Sequence, residues 1–221
     1  NEVEDMITVA KENNVLLMEA LWTFFLPHYK FALQHLENKT FGNITKLEAD
    51  FGFKPAIDMN SRVFKKSLGG GSLLDIGIYP IFFALSILGK PQQIKATTTF
   101  GQSKVDESCA MIFEYPDGQL AMLDCSFRHL SNTEAYIYGE KGTIHLPSRF
   151  HHPIQIHTSY YDKPTEAVEI PYTGNLKIGH NVQIGYFAQN HAEYLDGNKT
   201  VEDTMIDAAN ESNRTKVRDI L

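Results

Sequence analysis

Residues 69–80 read Gly69-Gly70-Gly71-Ser72-Leu73-Leu74-Asp75-Ile76-Gly77-Ile78-Tyr79-Pro80. Consecutive glycines let the backbone turn sharply and let another group come close. A helix is expected to start there, with Ser72 as its N-cap. Asp75 and Tyr79, one helical turn apart, then share a face. Gly77 between them leaves a flat spot, at a cost to the helix of about 1 kcal/mol. A phenol, which ordinarily titrates near about 10, can pass a proton to or from a hydroxyl or carbonyl oxygen when its neighbours tune it. A carboxylate one turn away can orient a substrate hydroxyl. A plainer assignment uses the same residues: Asp75 as a first-turn carboxylate favoured by the helix dipole, and Tyr79 as a core aromatic with a satisfied hydroxyl. Spacing alone leaves both open.

The other polar clusters carry weaker signals. His151-His152 with His157 looks like a metal set, but adjacent residues on a strand face opposite ways, and Pro153 follows. A loop or edge pair is the expectation. Tyr160-Tyr161 reads as surface or dimer contact, and His191 with Tyr186 and Tyr194 as interface. Cys109 and Cys125 sit in alternating apolar segments, as buried free thiols do. The sequence has no Gly-x-Gly-x-x-Gly and no Gly-x-x-x-x-Gly-Lys-Ser/Thr, so neither common phosphate-cradling loop is present. It also lacks His-Glu-x-x-His, Cys-x-x-Cys and Gly-x-Ser-x-Gly.

These side chains need elements to hold them. Glu2–Asn13 has apolar residues at helical spacing. The apolar run Val15–Leu21 after it reads as a buried strand of a parallel sheet, which needs further strands beside it. Pro27–Leu36 reads as a helix with Pro at its first turn. Alternating segments follow. Lys46–Lys54 has Leu47, Ala49, Phe51 and Phe53 on one face, and Gln93–Phe100 has Ile94, Ala96, Thr98 and Phe100. Ala110–Tyr115 and Leu120–Phe127 flank Pro116-Asp117-Gly118, and Ala135–Tyr138 and Thr143–Leu146 flank Gly139–Gly142; both read as hairpins. Ile154–Ser159 and Ala167–Pro171 are two weaker strands, and helices are expected over His180–Leu195 and Val201–Leu221. Such alternation suits an antiparallel sheet with one covered face. The faces bearing Phe51, Phe53, Ile94, Ala96 and Met122 are expected to help bury an interface.

Composition bounds the class. The chain has 221 residues, 43% hydrophobic and 21% charged, which is ordinary for a globular chain. A net charge of −7 gives no electrostatic footprint for nucleic acid. The longest apolar stretch, Ile76–Leu88, is broken by Gly77 and Pro80 and falls short of the roughly 18 residues of a membrane span. The first residues do not resemble a signal peptide. The sequons at Asn38, Asn43, Asn198, Asn210 and Asn213 read as coincidence, and a cytoplasmic location follows by default.

Met18–Pro27, Asp50-Phe51-Gly52-Phe53 and the glycine segment 69–80 resemble the Gfo/Idh/MocA oxidoreductase family, in its dihydrodiol dehydrogenase and glucose–fructose oxidoreductase branch. The resemblance implies an α+β fold: an open, mainly antiparallel sheet with helices on one face, like the C-terminal domain of glyceraldehyde-3-phosphate dehydrogenase. It implies that residues 1–23 are the last helix and strand of a Rossmann domain, and that 24–221 form a substrate and oligomerisation domain. It implies hydride transfer between NAD or NADP and a sugar, polyol or diol, the cofactor being held mostly by an upstream half. Tyr79 then matches the family's proton donor and Asp75 its partner. Glu19 and Trp22 fall near the cofactor; Arg62, Lys54 and His28 are candidates for substrate contact. No metal is implied, and a homo-oligomer through the sheet face is expected. Phe24, where relatives often have Arg, and Phe187, where they often have Glu, depart from the pattern. The competing class is a non-catalytic sugar-binding or dimerisation module.

Overall fold

The computed structural model describes residues 2–170, which belong to the first of the chain's two units, Asn1–Gly174. The helices expected over 180–195 and 201–221 lie outside those residues. Eight strands form one sheet: β1 Ile44–Gly52, β2 Gln93–Phe100, β3 Asp106–Glu114, β4 Leu120–Ser126, β5 Ala135–Gly139, β6 Gly142–Leu146, β7 Gln155–Tyr160 and β8 Glu166–Glu169. Their order is β2-β3-β4-β1-β5-β6-β7-β8. Every neighbouring pair is antiparallel except β1 with β4. The Pro116-Asp117-Gly118 turn joins β3 to β4, as its residues predict.

Period-two patterning sorts the two faces. Leu47 and Ala49 of β1, Ala121 and Leu123 of β4, Ile137 of β5 and Ile144 of β6 are buried on one side. Two helices cover them: α2 Pro27–Glu37, with Pro at its first turn, and α3 Ile78–Leu88. Tyr29 of α2 is fully buried against Phe82 and Phe83 of α3, and its hydroxyl bonds Ser86. Burial pushes that phenol up to about 12. The stretch Lys66–Leu88 is long and apolar enough, by composition alone, to cross a membrane, which the sequence reading did not anticipate. Regular α-helix occupies only 11 residues of it, roughly 16 Å, and Phe83 and Ala84 are wholly buried in the sheet's core.

Two expectations need correction. The run Val15–Leu21 forms no strand. It follows helix α1, Glu2–Glu12, as an irregular segment with Leu16 89% exposed. A parallel strand is held by its neighbours, and none lies beside this run among the described residues. The set expected to share an interface is also split. Register aligns Ala96 with Met111, Leu123 and Ala49 on the helix-covered face. Ile94 and Phe51 belong to that face too, whereas Met122 aligns with Ile112 and Lys95 on the other. Ile94 is exposed because β2 is an edge strand. Phe53 lies beyond the end of β1.

Candidate active site

The glycine segment begins α3 in an unexpected way. Ser72 does not cap the helix with its own side chain. Its hydroxyl donates to Asp106 Oδ2 at 2.8 Å, and the Leu73 amide donates to the same oxygen at 2.7 Å. The capping carboxylate therefore comes from the start of β3. Gly71 has φ +129°, and a Cβ there would lie 2.2 Å from Asp106 Oδ1, so only glycine admits this approach. Leu73–Gly77 then form a single π turn before α3 proper, a widened turn frequent at functional sites. A Cβ on Gly77 would meet Cys125 Sγ at 2.9 Å, so glycine lets the turn lie against β4. Cys125 and Cys109 are buried free thiols, and burial raises Cys125 to about 12.

That turn brings Asp75 to a cleft, and Tyr79 follows it in the first turn of α3. The Tyr79 ring, half-buried, packs against Phe51 at 5.6 Å and His151 at 5.1 Å between centroids. Trp22, in the short 3-10 turn Trp22–Phe25, donates its indole N–H to the Tyr79 hydroxyl at 3.4 Å. Trp22 also stacks on His152 at 5.5 Å. Arg62 forms an ion pair with Asp75, whose side chain is only 15% exposed. A cleft of 420 Å³ opens beside these groups, lined by Phe51, Asp75, Asn132, Arg149, His151 and His152 among others. Burial first, then the charges of His152 and Arg149, push His151 down to about 4.

Of the residues singled out from sequence, Tyr79 therefore meets Trp22 and Asp75 meets Arg62; of these four, Asp75 lines the cleft. Glu19 lies exposed in the 15–21 segment. Lys54 is exposed and does not line the cleft. His28 is a correction: it is completely buried in α2, where no substrate can reach it. Phe24 packs against Phe25, Tyr29 and Phe82; Phe187 lies outside the described residues, as do Tyr186, His191 and Tyr194. Tyr161 is exposed and donates to the Gly139 carbonyl. The three histidines of the metal-like set do not gather: His157 meets His145 on the opposite sheet face, Nδ1 to Nδ1 at 3.3 Å. Among the described residues no group of three or more His, Cys, Asp or Glu could hold a metal ion. His151 and His152 do lie on a loop, between β6 and β7. Their place beside Tyr79 was invisible in the sequence, since only the fold joins positions so far apart.

Residues 29–145, just over half of the chain, match the model of the GFO/IDH/MocA C-terminal domain. The chain belongs to the Gfo/Idh/MocA family. A family member from Danio rerio, a trans-1,2-dihydrobenzene-1,2-diol dehydrogenase, is 36% identical over 70% of this chain and 46% of its own. A scyllo-inositol 2-dehydrogenase (NADP(+)) of Bacillus subtilis is 35% identical over 77% of this chain and 52% of its own. The chain spans about half the length of the curated relatives it matches. Among solved structures, an aldose-aldose oxidoreductase from Caulobacter crescentus superposes with a TM-score of 0.70 at 22% identity, over 78% of this chain and 53% of that one. KijD10, a 3-ketoreductase from Actinomadura kijaniata bound to NADP and TDP-benzene, gives 0.69 at 24% identity, over 76% and 53%. These likenesses confirm the open-sheet fold of the family.

Proposed function

We propose that this chain is the substrate-handling part of an NAD- or NADP-dependent oxidoreductase that transfers hydride between a nicotinamide and a sugar, polyol or diol carbon. The observation that carries the reading is the Tyr79 hydroxyl, bonded by Trp22, on a ring packed against Phe51 and His151, which line a cleft together with Asp75. The names of the relatives support the same chemistry.

The described residues fit one end of such a cofactor. Trp22 presents an indole that is 42% exposed next to the Tyr79 hydroxyl, a flat face suited to a nicotinamide ring. No described residue forms a phosphate-cradling loop, so the rest of the dinucleotide needs another domain. The exposed apolar run 15–21 forms no strand by itself; in this reading it gains neighbours as residues 1–23 complete the nucleotide-binding domain, Glu19 and Trp22 reach its ligand, and 24–221 form the substrate domain. The cofactor, when bound, supplies the two-electron redox chemistry. The chain's own residues do the rest. Because the Tyr79 oxygen accepts from Trp22, the phenol proton is free to move to or from the substrate oxygen. Asp75, fixed by Arg62, orients a second hydroxyl. The sheet face opposite the helices is where a second copy docks.

The test is a screen of the full-length protein, with NAD and NADP separately, against a panel of polyols and diols. Formation of reduced nicotinamide with at least one of them is expected. Polyol binding without any cofactor reduction would instead favour a non-catalytic sugar-binding or dimerisation module.

A further inference from the structure

His151 lines the cleft with no role yet assigned to it. We propose that His151 is a positioning and specificity-determining residue of the Tyr79 centre: its imidazole fixes the tilt of the phenol ring and bonds a substrate hydroxyl. This rests on the reading of Tyr79 given above.

The His151 ring lies on Phe51 at 4.7 Å, within 18° of parallel, and touches Tyr79 at 5.1 Å. It is the surface against which the catalytic ring rests. Its main chain is tied to the turn that carries Trp22, because the buried Thr23 hydroxyl donates to the His151 carbonyl at 2.8 Å. The surrounding backbone is held at a cost. Arg149 has φ +65° and Thr133 φ +56°, and both line the cleft. Left-handed geometry is unfavourable for a β-branched residue, and such strain persists mainly where function requires it.

The ring nitrogens decide between packing and recognition. His151 Nδ1 is buried and makes no hydrogen bond among the described residues. If the ring only packed, phenylalanine would fill the place without an unsatisfied nitrogen. Nδ1 is closed to the cleft, whereas Nε2 is not among the buried unpartnered nitrogens, and it is the atom that a hydroxyl arriving with the ligand would partner. Burial keeps the imidazole uncharged near neutrality, so it can donate from one nitrogen and accept at the other, which suits a neutral hydroxyl.

The experiment uses the full-length protein with its cofactor and two probes, scyllo-inositol and trans-cyclohexane-1,2-diol. His151→Phe keeps the ring stack and loses the hydrogen bond, so KM for the probe rises roughly tenfold while kcat and the cofactor KM hold. His151→Asn keeps a hydrogen-bonding group and loses the stack, so kcat falls more than KM rises. Wild-type KM in His151→Phe overturns the substrate contact, and wild-type kcat in His151→Asn overturns the positioning role. If neither variant folds, the imidazole resonances of His151 in the wild-type complex decide: they shift on adding the diol, and unmoved resonances overturn the inference. Tyr79→Phe serves as the control. An inactive Tyr79→Phe beside an unaffected His151→Phe defeats this inference alone, whereas an active Tyr79→Phe defeats the reading beneath it.

Discussion

Tyr79 and His151 touch and are both half-buried, and the imidazole lies among the rings of Phe51, Tyr79 and Phe150. That packing has a consequence for stability. Burial lowers His151 from the usual 6.5 to about 4 and lowers His145 as well. Between those limits the unfolded chain takes up a proton that the folded chain refuses, so stability rises with pH from about 4 to about 6.5. Asp124, whose carboxyl is raised by burial and by Asp50, acts in the opposite sense: its contribution is present below the ordinary carboxylate range and is lost as pH climbs through its raised value. The urea midpoint of the chain should therefore fall between pH 7 and pH 5, and the fall should be smaller in His151→Phe. An equal fall in both proteins would mean that His151 is not the group held neutral. The Asp75–Tyr79 pair was legible in the sequence because one helical turn joins them. The Arg62–Asp75 ion pair was not legible, since the family pattern offered Arg62 only as a candidate for substrate contact. His151 was not legible, because it reaches Tyr79 through the β6–β7 loop, and no local periodicity encodes that contact. His28 misled for the same reason: its type suggests chemistry, but its depth is set by what α2 packs against.

The element that matters most is the π turn Leu73–Gly77, and its anchor lies on another strand. Asp106 accepts from both Ser72 and Leu73, which satisfies helix-start donors that have no partner within the helix. Asp106→Ala is expected to cost about 0.5–2 kcal/mol, as loss of a cap does, and to lower turnover by loosening Asp75 and Tyr79. Thermal unfolding reads the first effect. A melting temperature equal to wild type would show that Asp106 does not hold the turn. The sequence marks the start of this helix correctly and assigns its cap to the wrong residue, because Ser72 looks like a cap locally and Asp106 becomes one only through tertiary contact. The hairpins β3–β4 and β5–β6 follow from their turn residues. The parallel pairing of β1 with β4 does not, since alternation fixes which face a strand buries and says nothing of which strand lies beside it. Val15–Leu21 shows the converse: an apolar run has the composition of a buried strand, but pairing comes from neighbours.

At the scale of the molecule, the sheet has one face under α2 and α3 and another that bears Ile112, Leu120 and Met122, each at least 38% exposed, above a depression of 600 Å³ rimmed by Glu48, Asp50, Asp124 and Glu134. Exposed apolar residues inside a polar rim mark an interaction surface. The chain is expected to self-associate through that face, and Met122→Glu to weaken the association; light scattering at micromolar concentration would show a monomer for both proteins if the face pairs with nothing. The one-sided open sheet was legible from alternation across the whole chain, whereas the membership of each face was not, because β2 pairs with β3 in a register that puts Ile94 and Met122 on opposite sides. The central proposal is that Tyr79 moves the proton that accompanies hydride transfer. Its most direct measurement is kcat of full-length Tyr79→Phe against wild type with a polyol or diol substrate. A loss of at least about a hundredfold with unchanged cofactor binding is the predicted result; near-normal turnover would contradict it.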